Sequence, residues 1–183
     1  SALPMPALTI TQLQQTINKL LPRTAPGHDG ITNTHLKHMP RNTLYALLDI
    51  YNTAIRINSY PTLWKTSILV PIPKPGKDPR DPHNTRPISL LPTLAKTFDT
   101  LTLPHMRQAL QHINIPDNRQ AGFRPGHSTV HQIGSLLQHL QSHQHTRHPA
   151  VLVLLDFKQA FDRVHWPALL WWLHRRGLSP RSE

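Results

Sequence analysis

The sequence predicts a mixed α/β fold in which most helices precede a late apolar strand. Three observations carry that expectation. Apolar residues recur at helical spacing in several separate stretches. Nineteen prolines cut the chain of 183 residues into short pieces. Near the end, AVLVLLD at 150–156 is an apolar run of strand length, of the kind buried on both faces inside a sheet.

The elements follow in order. In TITQLQQTINKLL, 9–21, Ile10, Leu13, Ile17, Leu20 and Leu21 share a helix face, and Thr9 is placed to cap its start. TAPGHDGI, 24–31, breaks that helix: Gly27 and Gly30 supply backbone angles that other residues resist, and Asp29 caps the turn between them. Leu44, Leu47, Leu48, Tyr51 and Ile55 make the apolar face of a helix over 43–57, closed by Tyr60-Pro61. TSILVPIP, 66–73, is extended, and its prolines suit an edge or a strand end. A basic, turn-rich loop, PKPGKDPRDPHNTR at 73–86, leads into the extended RPISLLP. A helix from about 93 to 111 follows, with Pro104 as a kink or division, then loop or turn over 113–127. Val130, Ile133, Leu136, Leu137 and Leu140 predict a helix over 129–143 with Ser128 as its cap. After the strand at 150–156, Trp166, Leu169, Leu170, Trp172 and Leu173 predict a last helix over 166–176, stopped by Gly177. Trp171 and Trp172 are adjacent and cannot share a helix face.

Charge narrows the partners. Lys and Arg total 20 against 9 acids, a formal charge of +11, which favours polyanions and nucleic acid above all. No stretch has the length and apolarity of a membrane span, and no basic amphipathic helix argues for a membrane surface. SALPMPAL lacks the charged start and long apolar run of a secretory signal. The chain has no cysteine, so disulfides and thiolate zinc sites are excluded, and an intracellular setting is allowed. The histidine pairs His127/His131 and His139/His143, with His145 and His148 nearby, lie in a polar region and read as solvated or as weak nucleic-acid contacts rather than as zinc ligands.

Carboxylates are scarce, and the only glutamate is Glu183. Asp156 ends the apolar run, at the rim of a sheet, where an α/β protein places a metal ligand. The plain alternative is an ordinary strand end before a helix, and composition and spacing alone favour that one. Asp162 reads as a structural residue near the site, capping the following helix or pairing with Arg163 or another base. Phe161 is either core or a ring lying against a nucleotide sugar, where its volume excludes a 2′-hydroxyl. Lys74 and Lys77 flank Pro75-Gly76, followed by Arg80 and Arg86, a set suited to phosphate: lysine as a mobile charge, arginine as a rigid fork. In QAGFRPGHST, 120–129, Arg124, two glycines and Ser128 lead into a helix start, which receives an anion or is simply capped.

Together these stretches resemble the fingers and early palm of a reverse transcriptase from a non-LTR (LINE-type) retrotransposon. The resemblance rests on TAPGHDGI at 24–31, ILVPIPKPGKDPRDPHNTRPISLL at 68–91, NIPDNRQAGFRPGHSTVHQI at 114–133 and LLDFKQAFDRV at 154–164, in that order and spacing. It implies a right-hand polymerase fold with N-terminal fingers and a partial, truncated palm. Residues 1–65 would be an upstream helical extension and the start of the fingers, 66–148 the fingers, and 149–183 the beginning of the palm. It implies that Asp156 is the first metal-binding aspartate and that the backbone carbonyl of Phe157 assists it. Phe161 falls at the sugar-sensing gate. Lys74 or Lys77, with Arg86, falls where incoming triphosphate is held. Gln120, Gly122, Phe123 and Arg124 match the motif that positions template and fingers. Thr85 stands where the family often has an aromatic, and Lys158-Gln159 where it has Ser/Thr-Lys.

The implied cofactor is Mg²⁺, with Mn²⁺ as its substitute, in the complete polymerase; no zinc is expected. The implied partners are an RNA template, a DNA primer, dNTP and the remaining palm and thumb segments, with no membrane and, by family resemblance, a nuclear setting. The family's later aromatic-Ala-Asp-Asp sequence is absent from these residues. The chain is therefore expected to be part of an RNA-directed DNA polymerase, inactive in isolation. The competing expectation is a noncatalytic, basic nucleic-acid-binding or scaffold protein built on the same fold.

Overall fold

The computed structural model describes residues 5–117, 119–142, 151–157 and 159–178. The chain divides into two compact units, one over Leu3–Arg107 and one beginning at Gln108.

The first unit holds the buried core. Helix α1, Ile10–Lys19, starts at the predicted cap, where the Thr9 hydroxyl accepts from the Gln12 N–H and the Gln12 side chain returns to the Thr9 backbone. Helix α2, Asn33–Lys37, is a single turn with the same reciprocal cap, Thr32 with His35. Helix α3 is Arg41–Arg56, and a 3₁₀ turn spans Thr62–Lys65. The hairpin of β1, Ile68–Pro73, and β2, Thr85–Leu90, precedes α4, Thr93–His112, which continues through Pro104.

Leu13 and Ile17 of α1, Leu36 of α2, Leu44, Leu47 and Tyr51 of α3, Trp64, and Ala95, Phe98 and Leu101 of α4 are buried together. Tyr51 is the hub: its ring centroid lies 5.5 Å from Trp64 and 5.3 Å from Phe98, and its hydroxyl donates to the Leu94 carbonyl at 2.8 Å. That bond lets a phenol be fully buried without an orphaned polar atom.

The 24–31 loop is clamped to the start of α4. Lys96 donates to Ala25 O at 3.1 Å and the Thr93 hydroxyl donates to Ile31 O. Asp29 accepts from the Ile31 N–H at 3.1 Å, the turn-forming role its sequence context suggested.

Strands β1 and β2 pair antiparallel, with Pro71 opposite Pro87 and Ile72 opposite Arg86. Lys74 N–H donates to Asn84 O, so the even positions of β1 make the ladder bonds and the odd ones point their nitrogens outward. Pro71, Pro73 and Pro87 therefore cost the ladder nothing. Ile68, Val70, Ile72, Arg86, Ile88 and Leu90 share one face of the hairpin.

In the second unit, helices α5, Thr129–Ser142, and α6, Trp166–Arg175, match the predicted spans. Gly177 follows α6 with φ +90°, the left-handed stop expected of it. The strand expected at 150–156 is not formed. Ala150 lies outside the described residues, and 151–157 has no regular structure. Leu155 is 85% exposed there. A strand needs a neighbour to take its backbone hydrogen bonds. Among the described residues the only strand pairing is β1 with β2, and no residue of this unit is buried.

Candidate functional site

The basic loop is an ordered hairpin tip. Lys74-Pro75-Gly76-Lys77 is a tight turn, with Lys77 N–H donating to Lys74 O at 3.2 Å and Gly76 at φ +71°. Asp78 accepts from the Arg80 N–H at 3.0 Å and Asp81 from the His83 N–H at 2.9 Å. Lys74, Lys77 and Arg86 are thus brought onto one hairpin. Arg86 stands on its aliphatic face beside Ile72 and Ile88, and is solvent-exposed.

In the second unit the structure brings the 120–129 segment and Phe161 together. Phe123 and Phe161 meet edge to face, with centroids 6.2 Å apart and planes at 83°. Both rings are otherwise open to solvent, 91% and 78% exposed. Phe123 has φ +59°, a conformation that side chains resist. Small-ligand clefts run from about 300 to 1,000 Å³; the open groove lined by Gly122, Phe123, His127, Ser128 and Gln132 has a volume of about 540 Å³.

Asp117 and Arg119, which the sequence reading passed over, organise this segment. Asp117 Oδ1 accepts from the Arg119 backbone N–H and Nε at 2.9 and 3.0 Å, and Oδ2 accepts from Nη2 at 3.2 Å. These bonds hold the Asp117 carboxyl down at about 2. The Asp117 carbonyl then accepts from Gln120 N–H at 2.9 Å and from Arg124 Nη1 at 3.3 Å, while Gln120 Nε2 donates to Gly122 O at 3.3 Å. The signal was present as an acid two residues before an arginine, a pattern of local turns. The start of α5 is held by a Ser128–His131 pair, in which the Ser128 N–H donates to His131 Nδ1 at 3.2 Å.

Asp156 and Phe157 are exposed in the unpaired 151–157 run. The cap suggested for Asp162 is corrected by the geometry. His165 caps α6, its Nδ1 accepting from Ala168 N–H at 3.3 Å, because the helix begins too far beyond Asp162 for that carboxylate to reach its first turn. The one ion pair among the described residues is Asp117–Arg119. A carboxylate and a carbonyl are the hard oxygen donors that Mg²⁺ prefers. Their number is short: among the described residues no three His, Cys, Asp or Glu side chains converge to hold a metal. His143, His145, His148 and Lys158 lie outside the described residues.

Residues 72–181, more than half of the chain, match the reverse transcriptase (RNA-dependent DNA polymerase) family. The chain belongs to the reverse transcriptase family. The match takes in the hairpin from Ile72 onward and Asp156. A probable RNA-directed DNA polymerase from transposon BS of Drosophila melanogaster is 33% identical over 92% of this chain and 19% of its own length. The corresponding protein of transposon X-element is 36% identical over 76% of this chain and 15% of its own length. The RNA-directed DNA polymerase of mobile element jockey from Drosophila funebris is 33% identical over 93% of this chain and 19% of its own length. This reverse transcriptase segment is thus homologous to non-LTR retrotransposon polymerases, and it spans at most about a fifth of the length of those three relatives. No described helix is long and apolar enough to cross a membrane.

Proposed function

We propose that this chain supplies the fingers and first palm segment of an RNA-directed DNA polymerase, with 66–148 as fingers and 149–183 as the start of the palm. In the reaction of the complete polymerase, a primer 3′-hydroxyl oxygen bonds to the α-phosphorus of a dNTP, the bond to the β-phosphate oxygen breaks, and pyrophosphate leaves. The observation that carries the reading is the family match over 72–181. Asp156 and the Phe157 carbonyl contribute two oxygens toward Mg²⁺, and further ligands come from outside the described residues. A pair of such ions, when bound, would supply the chemistry, one activating the hydroxyl and the other steadying the leaving pyrophosphate. Arg86, with a lysine of the hairpin tip, holds the triphosphate of the incoming nucleotide. Phe161 tests the sugar, and Gln120, Gly122, Phe123 and Arg124 position template and fingers.

Primer extension on an RNA template with dNTPs and Mg²⁺ tests this. Purified 1–183 is expected to give none, because among the described residues no three metal-ligating side chains converge. Metal-dependent extension by 1–183, abolished by Asp156→Asn, would overturn that reading. In a polymerase of the relatives' length that carries this segment, Asp156→Asn is expected to reduce turnover to background while the protein still folds and binds primer–template. Normal turnover in that variant removes Asp156 from the metal site.

A further inference from the structure

The backbone partners of several histidines fix which ring nitrogen carries a proton. A carbonyl oxygen can only accept, so the nitrogen facing it is an N–H. A backbone N–H can only donate, so the nitrogen facing it is a bare lone pair. His28 Nε2 donates to Leu63 O at 3.0 Å, His38 Nδ1 to Thr34 O at 2.9 Å and His127 Nδ1 to Pro125 O at 3.1 Å. Those bonds survive when the ring becomes a cation. His35 and His131 are the opposite case. The Thr32 N–H donates to His35 Nδ1 at 3.1 Å before α2, and the Ser128 N–H donates to His131 Nδ1 at 3.2 Å before α5. Both histidines stand three residues after a Thr or Ser cap, where a capping box ordinarily has Glu or Gln. Helix α1 keeps the ordinary form, its Thr9 N–H donating to Gln12 Oε1 at 2.8 Å, and an amide does not titrate.

We propose that the first turns of α2 and α5 are proton-sensitive: a proton taken up by His35 or His131 opens its helix start, while the start of α1 holds. Protonation puts a hydrogen on Nδ1, so the ring turns a donor toward a donor and the cap bond is lost. The new cation also lies at the positive end of the helix dipole, where an anionic Glu would have been favoured. Imidazoles in general take up this proton near about pH 6.5, so the boxes are closed above that range and open below it. The charged and titratable groups of the adjoining elements do not rescue them. For His35 these are Lys37 and His38 on α2, Lys19 on α1, Arg41 at the start of α3, and His28 and Asp29 in the preceding loop, with Asp29 accepting from the Ile31 N–H. For His131 they are His127, with ring centroids 6.4 Å apart, then Arg124, Arg119 and Asp117, whose carboxylate is held by Arg119. Among the described residues neither imidazole has a carboxylate within ion-pair reach. Opening α5 also reaches the turn before it, because Gln132 Nε2 in that first turn donates to Arg119 O at 3.3 Å.

The test measures amide hydrogen exchange in ¹⁵N-labelled 1–183 at pH 7.5 and pH 5.5, each rate divided by the intrinsic rate at that pH. Protection of the Thr32 and Ser128 amides is expected to fall by about fivefold at the lower pH, the size of losing one helix cap, while that of Thr9 stays level. His35→Gln and His131→Gln keep an acceptor that does not titrate, and each is expected to hold the protection of its own box at pH 5.5. His127→Gln is expected to leave the Ser128 response in place, since His127 is a donor in either charge state. A box whose protection is the same at both pH values is no proton sensor, and its histidine leaves the assignment. An equal fall in the matching Gln variant, or a parallel fall at Thr9, shows general acid loosening and overturns the proposal. Loss of the Ser128 response in His127→Gln moves the sensing from His131 to His127 and overturns the assignment at α5.

Discussion

Gly27 stands where a methyl group has no room. A Cβ there would lie 2.5 Å from Pro92 N and 2.7 Å from Leu91 C, both backbone atoms that cannot swing aside. Gly30, three residues on, faces open space but has φ +68°. The two glycines of one loop therefore serve different needs. Gly27→Ala is expected to lower stability by about 1–3 kcal/mol through overpacking, and Gly30→Ala by about 1–2 kcal/mol through left-handed strain alone. Denaturant melts of both variants check this. Gly30→Asn, which tolerates that conformation, should recover most of the second loss, and Gly27→Asn should recover none of the first. Asp99 adds a pH dependence. Partial removal from water beside Tyr60 raises its carboxyl above the usual 3.8, and the hydrogen bond from the Tyr60 hydroxyl, at 3.2 Å, pulls it only partly back. The folded state thus holds the proton more tightly than the unfolded one. That contribution is full below pH 3.8 and is lost as pH rises through the raised value. Asp99→Asn keeps an acceptor for Tyr60 and removes the charge. Its melting temperature is expected to exceed that of the wild type at pH 7 and to show no such advantage at pH 3.

The hairpin shows how prolines can be compatible with a strand pair while limiting what it joins. With Pro71, Pro73 and Pro87 at outward-facing positions, neither edge offers a continuous row of donors to another chain. Replacing Pro71 and Pro87 by Thr restores outward N–H groups beside an exposed aliphatic face. The double variant is expected to self-associate at concentrations where the wild type does not, as read by analytical ultracentrifugation; unchanged sedimentation would show that the prolines do not guard these edges. The prolines were legible as edge markers because their missing donor is a property of the residue itself. Helices α1, α3, α5 and α6 were legible for a similar reason: a face such as Leu44, Leu47 and Tyr51 repeats locally. Helix α2 was missed because its five residues are too few to show a period, and its only sign was the Thr32–His35 cap. The apolarity of the 150–156 run predicts a strand. Pairing, however, depends on a neighbour that no local pattern specifies. The hydrogen bond from the Lys74 ammonium to His83 O was hidden because it joins residues nine apart across a loop whose path the sequence does not set. Asp156 was legible as a motif, whereas its surroundings depend on residues distant along the chain.

For the whole molecule, the dominant property outside the first unit's core is charge. An excess of +11 attracts a polyanion regardless of sequence and regardless of whether the chemistry of the site is complete. Binding of RNA or of an RNA–DNA duplex is then driven by release of condensed counterions, so the logarithm of affinity should fall linearly with the logarithm of salt. Each phosphate contact contributes about 0.7 to the slope on a single strand and about 0.9 on a duplex. This separates two uses of the same cations. If Arg86 is reserved for the nucleotide's triphosphate, Arg86→Ala should weaken tripolyphosphate binding yet leave the RNA slope within experimental error. If it instead tracks the template backbone, the slope should shrink by about one contact. The expected result is the first, because Arg86 lies on a hairpin face with Ile72 and Ile88, and an aliphatic surface around one guanidinium suits a single nucleotide better than a row of phosphates. Titration of labelled RNA at four salt concentrations, with wild-type and Arg86→Ala chains melted in parallel to show that both fold, decides it. No detectable RNA binding by the folded wild type at low salt would sink the electrostatic argument, and a slope reduced by one contact in Arg86→Ala would move that arginine from the nucleotide to the template.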